Sequence, residues 1–146
     1  MTVLLKKFMA EAGALLGDST GFNKLYDVLK ELIEGGPVTL PAYQATIATA
    51  TIAAMVADRV GVITSLRTAI TVCGTADNTT VQVHVNGSSK GELTTAHDDD
   101  DGTKKALALT QAVAVGDLIE IVVSSAPTAG SDLNASVRIS PDITVE

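Results

Sequence analysis

The 146-residue chain has no tryptophan, two tyrosines and two phenylalanines, so aromatic residues make up only 3% of it. Stacking platforms for bases or sugars need exposed rings, and the sequence is poorly stocked for that mode of recognition. One cysteine, Cys73, excludes an internal disulfide and fits synthesis in a reducing compartment. Positive charge is scarce: ten Lys and Arg stand against 17 Asp and Glu, a net charge of −7. Residues 1–36 carry four lysines against five acids, and residues 37–146 six basic against twelve acidic groups, so the acidity lies in the later part. Such a balance repels phosphate backbones and anionic bilayers and argues against nucleic-acid or membrane partners. No run approaches the ~18 apolar residues of a membrane span. Lys6, Lys7 and Glu11 interrupt the N-terminal apolar stretch, which is not the layout of an export signal.

What is abundant is small and β-branched. Hydrophobic residues reach 46%, enough for a packed core. The clearest element is 79–87, where Val81, Val83 and Val85 alternate with Thr80, Gln82 and His84. That period of two places three β-branched side chains on one strand face. Asn86-Gly87 follows at once, and both residues tolerate the positive φ of a type I′ turn, so the chain should fold straight back. The return, Ser88 to Thr95, is polar apart from Leu93 and reads as an edge.

Ahead of this lies a helical pattern. Leu4, Leu5, Phe8, Ala12, Leu15 and Leu16 form one stripe, and Phe22, Leu25, Tyr26, Leu29, Leu32 and Ile33 form a second. Gly35-Gly36-Pro37 ends the second helix, and a domain boundary is expected there. Two short helices bury little alone, so these stripes pack on each other or the sheets, or meet a partner. Leu4, Phe8, Phe22, Leu25, Tyr26 and Leu29 are the candidate contact residues.

From Pro37 onward the texture is strand-like. Tyr43, Ala45 and Ile47 alternate with Gln44, Thr46 and Ala48, although the alanine content also admits a helix over 51–58. Residues 60–63 and 66–73 read as one bent strand or two short ones. Further strands are expected around Ala106 to Leu109, over Leu118 to Val123 and over Leu133 to Ile139, with a turn at Val115-Gly116-Asp117. Strands of this length and spacing predict a mainly β chain, an antiparallel β-sandwich or jelly roll, behind a short N-terminal two-helix segment.

Candidate chemistry is thin. Asp98 to Asp101 invites calcium, but adjacent like charges stay solvated, and no downstream glutamate completes a binding loop. The open alternatives are an exposed acidic loop and a weak divalent-ion site. His97 borders that run and could join it, whereas His84 sits on the polar face of its strand. Cys73 reads as a small core residue. Ser65, Ser88 and Ser89 lack the G-x-S-x-G elbow, and no phosphate loop, H-E-x-x-H or CxxC pair is present. No enzyme, cofactor or catalytic residue is therefore expected.

The stretches GVITSLRTAITVCGTADNTTVQVHVNG (61–87) and AVAVGDLIEIVVSSAPTAGSDLNASVRISP (112–141) resemble jelly-roll virion structural proteins of tailed bacteriophages. These include capsid decoration (cement) proteins and the heads of short fibres. The carriers are the Asn86-Gly87 hairpin, the Gly116-Asp117 turn before an apolar strand, and the Ala-Pro-Thr-Ala-Gly loop at 126–130. The likeness covers about residues 60–140. It implies a homotrimer on the capsid surface of the virion, made in the host cytoplasm and bound to the major capsid protein. The alternative it leaves open is a fibre receptor-binding or carbohydrate-binding module, with loops 97–105 and 124–132 touching a host glycan.

Overall fold

The computed structural model describes residues 35–141. The two expected helices, with Leu4, Phe8, Phe22, Leu25, Tyr26 and Leu29, lie outside the described residues. Eight strands follow in order: β1 (Val38–Thr46), β2 (Ala50–Val56), β3 (Gly61–Val72), β4 (Thr79–Val85), β5 (Ser88–Thr95), β6 (Lys104–Val113), β7 (Leu118–Ser125) and β8 (Ser131–Pro141). They form two four-stranded antiparallel sheets, β1-β8-β3-β6 and β2-β7-β4-β5. Successive strands alternate between the sheets, except at the β4–β5 hairpin.

The core follows from the period of two. Val81, Val83 and Val85 of β4 and Ile119, Ile121 and Val123 of β7 turn inward from one sheet. Leu66 and Ile70 of β3 and Leu133, Ala135, Val137 and Ile139 of β8 turn inward from the other. All belong to one buried cluster, so the two sheets make a β-sandwich whose central strands carry most of the core. No aromatic ring is fully buried among the described residues, and the largest such side chains are isoleucines and leucines.

Local chemistry explains the irregular points. Asn86 and Gly87 take φ of 51° and 76°, and Val85 pairs with Ser88, so the hairpin has the expected two-residue loop. Residues 61–72 are one strand, bent by a bulge between Ile63 and Ser65. The extra residue resets the alternation, which lets Ile63 and Leu66, three apart, both face the core. The polar return strand β5 is an edge, as its composition predicts. Its Gly91 lies against β6: a Cβ there would come within 2.7 Å of Leu109 Cδ2.

Two expectations need correction. Residues 50–56 are strand, not helix: β2 pairs with β7, and the ladder offered by that apolar strand overrides the alanine content. Tyr43 and Ile47 do not share an environment. β1 directs Leu40 and Ala42 toward the core and Tyr43 outward, and because the strand ends at Thr46, Ile47 turns under and is buried.

Candidate binding surfaces

Loops 73–78, 96–103 and 126–130 gather at one end of the sandwich. Thr128 N donates to Ala76 O and Thr75 N to Thr128 O. Asn78 joins the neighbouring loops, accepting from His97 N on its side-chain oxygen and from Ser125 Oγ on its carbonyl. Loops 97–105 and 124–132 are thus brought to the same end.

The aspartate run is an exposed acidic loop, half-buried only at Asp99, and some of its carboxylates also tie the loop down. Asp99 Oδ2 accepts from Lys105 Nζ at 2.7 Å and from Ala96 N at 2.9 Å. Those donors, the lysine first, hold its carboxyl below the usual carboxylate range. Asp101 Oδ1 accepts from Cys73 N, and the Asp100 carbonyl accepts from the Thr103 hydroxyl at 2.6 Å. Asp99 therefore ties the loop to Ala96 and to Lys105 of β6, and Asp101 ties it to the end of β3, while Asp98, Asp100 and Asp101 remain exposed. The sequence pattern hides this because self-contained loops and solvated acidic loops have the same composition.

Among the described residues, no group of three or more His, Cys, Asp or Glu side chains is placed to hold a metal ion. The His97 ring faces Asn78 Oδ1 at 3.4 Å rather than a carboxylate. His84 lies on the outer face of the β2-β7-β4-β5 sheet in a short relay. Its Nε2 meets Gln82 Oε1 at 2.9 Å, and Gln82 Nε2 donates to Glu92 Oε2. Cys73 is 2% exposed; burial and the nearby Asp101 and Asp99 carboxylates push its thiol up. It is a core residue, as expected.

The opposite end mixes exposed aliphatic side chains with the Asp58–Arg59 ion pair. Val56, Val60, Val115 and Leu118 are 62%, 53%, 64% and 37% exposed. Val56 pairs with Leu118, and Ala57 exchanges backbone hydrogen bonds with Gly116 and Asp117, which joins the two loops. The Asn86-Gly87 turn completes this end: Asn86 donates to Asp117 Oδ1 and accepts from Leu118 N. Asp117 also accepts from Ala114 N, and these donors lower its carboxyl.

A third surface escaped sequence reasoning. On the outer face of the β1-β8-β3-β6 sheet, register aligns Tyr43, Asn134, Ala69 and Lys104 across the four strands. The next row is Pro41, Ser136, Arg67 and Ala106, and the next Thr39, Arg138, Ser65 and Ala108. Three shallow depressions run together here, all touching Arg67. Alanine and serine make the floor low, and the long cations stand above it. Tyr43 is 57% exposed and donates to Asp132 Oδ1 at 2.6 Å; this bond to a carboxylate raises its phenol.

No protein-family model and no curated protein matches the chain. Among solved structures it is similar to the Podospora anserina GH26-CBM35 β-(1,4)-mannanase, at a TM-score of 0.44 and 12% identity. The match covers 76% of this chain and 29% of the other, so the chain spans less than a third of that enzyme's length.

Proposed function

We propose that the chain is a jelly-roll virion structural protein of the kind that decorates tailed-bacteriophage capsids. In this reading it is a homotrimer that binds the major capsid protein and stiffens the outer shell. The strand order supports the jelly-roll assignment, since two interleaved four-stranded sheets with cross-sheet connections suit a double Greek key. The sequence resemblance over residues 60–140 supports the virion setting.

The observation that carries the reading is the set of exposed aliphatic side chains at the end where β2 meets β7. Four aliphatic side chains, Val56, Val60, Val115 and Leu118, stay exposed in the turns and strand ends at one end of an acidic sandwich. A decoration protein needs contact area repeated by symmetry, and these side chains offer apolar area for it. The test is co-sedimentation of the purified protein with expanded shells that lack it. Saturable binding, abolished by Val56→Asp with Val115→Asp, supports the reading. A protein that stays in the supernatant at every concentration refutes it.

The alternative, a fibre module that binds a host receptor, uses the same fold and predicts adhesion to host cells instead. Asp98→Ala and Asp100→Ala probe the loop end for that role, because Asp99 and Asp101 are already occupied within the loop.

A further inference from the structure

We propose that the outer face of the β1-β8-β3-β6 sheet binds an acidic oligosaccharide, a chain of sugars bearing carboxylates. Arg67 and Arg138 meet the carboxylates, and the Tyr43 ring lies against a sugar face.

Residues 37–146 carry six cations among twelve acids. Two of the six are consumed locally, Arg59 on Asp58 and Lys105 on Asp99. Of the remaining four, Arg67, Arg138 and Lys104 share this one face, and none of the three makes a side-chain hydrogen bond or ion pair among the described residues. Arginines exposed on an acidic protein usually find a carboxylate of their own. These two instead have uncharged cross-strand neighbours, Ala106 and Ser136 beside Arg67 and Thr39 and Ser65 beside Arg138.

Their spacing suits a single ligand. Arg67 pairs with Ser136, two residues before Arg138 on the adjacent strand. Diagonal neighbours of this kind lie about 7–8 Å apart, so both guanidiniums reach one stretch of ligand. A guanidinium offers a planar pair of donors that matches a carboxylate. Between and beside them, Ser65, Ser136, Thr39 and Asn134 present hydroxyls and an amide to sugar hydroxyls. Tyr43, the one exposed aromatic ring among the described residues, closes the row that holds Asn134 and Lys104. The Asp132 hydrogen bond fixes its ring.

The same geometry disfavours other polyanions. Backbone groups of a sheet face are already in ladders, so an acidic peptide finds neither a strand edge to extend nor deep side-chain pockets. A nucleic-acid strand would find one ring for its bases to stack on, Tyr43, among the described residues.

The experiment is isothermal titration of the full chain with oligomers of galacturonate, glucuronate and mannuronate–guluronate. A methyl-esterified galacturonate oligomer, oligoglutamate and a short oligothymidylate serve as comparisons. At least one uronate oligomer should bind. Esterification, or Arg67→Ala with Arg138→Ala, should weaken it tenfold or more, Tyr43→Ala several-fold, and Lys90→Ala on the other sheet not at all. Amide shifts on titration should map to β3 and β8. Melting curves confirm that the variants, all at exposed positions, remain folded. Failure of every uronate to bind overturns the proposal, as does binding that survives the double arginine variant. Oligoglutamate or oligothymidylate binding as tightly as the best uronate also overturns it. Capsid binding is independent: a protein that joins shells and ignores uronates refutes this site and leaves the decoration reading intact.

Discussion

Replacing Ile121 with alanine removes three carbons from the centre of β7, between Ala53 of β2 and Val83 of β4. Ile121 is fully buried, and its cluster draws on both sheets, so neither sheet can close the gap without moving the other. Buried Ile-to-Ala changes cost about 2–5 kcal/mol, and a central site with little room to relax belongs in the upper half, about 4 kcal/mol. For a domain between the roughly 60–100- and 150–250-residue classes each kcal/mol lowers the melting temperature by about 3–5 °C, so a fall of roughly 12 °C or more is expected. Val122, the next residue, faces outward and is only half-buried. Its change to alanine should cost under about 1 kcal/mol, within the span of strand preference alone. The assay is thermal and urea unfolding of the full chain followed by circular dichroism. If Val122→Ala proves as damaging as Ile121→Ala, the assignment of inner and outer faces is wrong and the core argument with it.

Further outcomes follow from particular residues. Gly74 has φ of 99°, and a Cβ there would lie 2.6 Å from Thr128 O, so Gly74→Ala should cost about 1–3 kcal/mol in the same unfolding assay. Asp99 and Asp117 have carboxyls held below their unfolded values. Their stabilisation is complete above the unfolded pKa of about 4 and is lost as pH falls through the depressed folded values. Melting temperature should therefore drop below about pH 4, and Asp99→Asn should lower it at neutral pH while flattening the acid slope. Cys73 is buried with its thiol pushed up, so an aromatic disulfide reagent at neutral pH should titrate one thiol only after denaturant is added. Rapid labelling of the native protein would contradict that placement.

How much of this was legible in the sequence depended on whether the signal was local. The β4–β5 hairpin was readable because alternation and Asn86-Gly87 sit together within nine residues. The apolar β7 and the turn at Gly116 were readable for the same reason. The strand at 50–56 was ambiguous because alanine fits both states, and the deciding partner, β7, comes more than 60 residues later in the chain. The bulge that lets Ile63 and Leu66 face inward together breaks the very alternation a reader counts. At Asp98 to Asp101 the sequence shows charge but not donors, and Lys105 and the backbone of Ala96 and Cys73 decide the outcome. The outer face was invisible for a similar reason. Tyr43, Arg67, Lys104, Asn134 and Arg138 come from four strands, and only register places them together.

The decoration account makes a mechanical claim as well as a binding one. A ligand that binds the assembled shell and not its dissociated subunits must raise the shell's unfolding temperature by mass action. Calorimetry of purified expanded shells, with and without saturating protein, measures this directly. The account predicts an upward shift of the shell transition that grows with protein concentration and disappears with the Val56→Asp, Val115→Asp variant. An unchanged transition at saturating protein would contradict it.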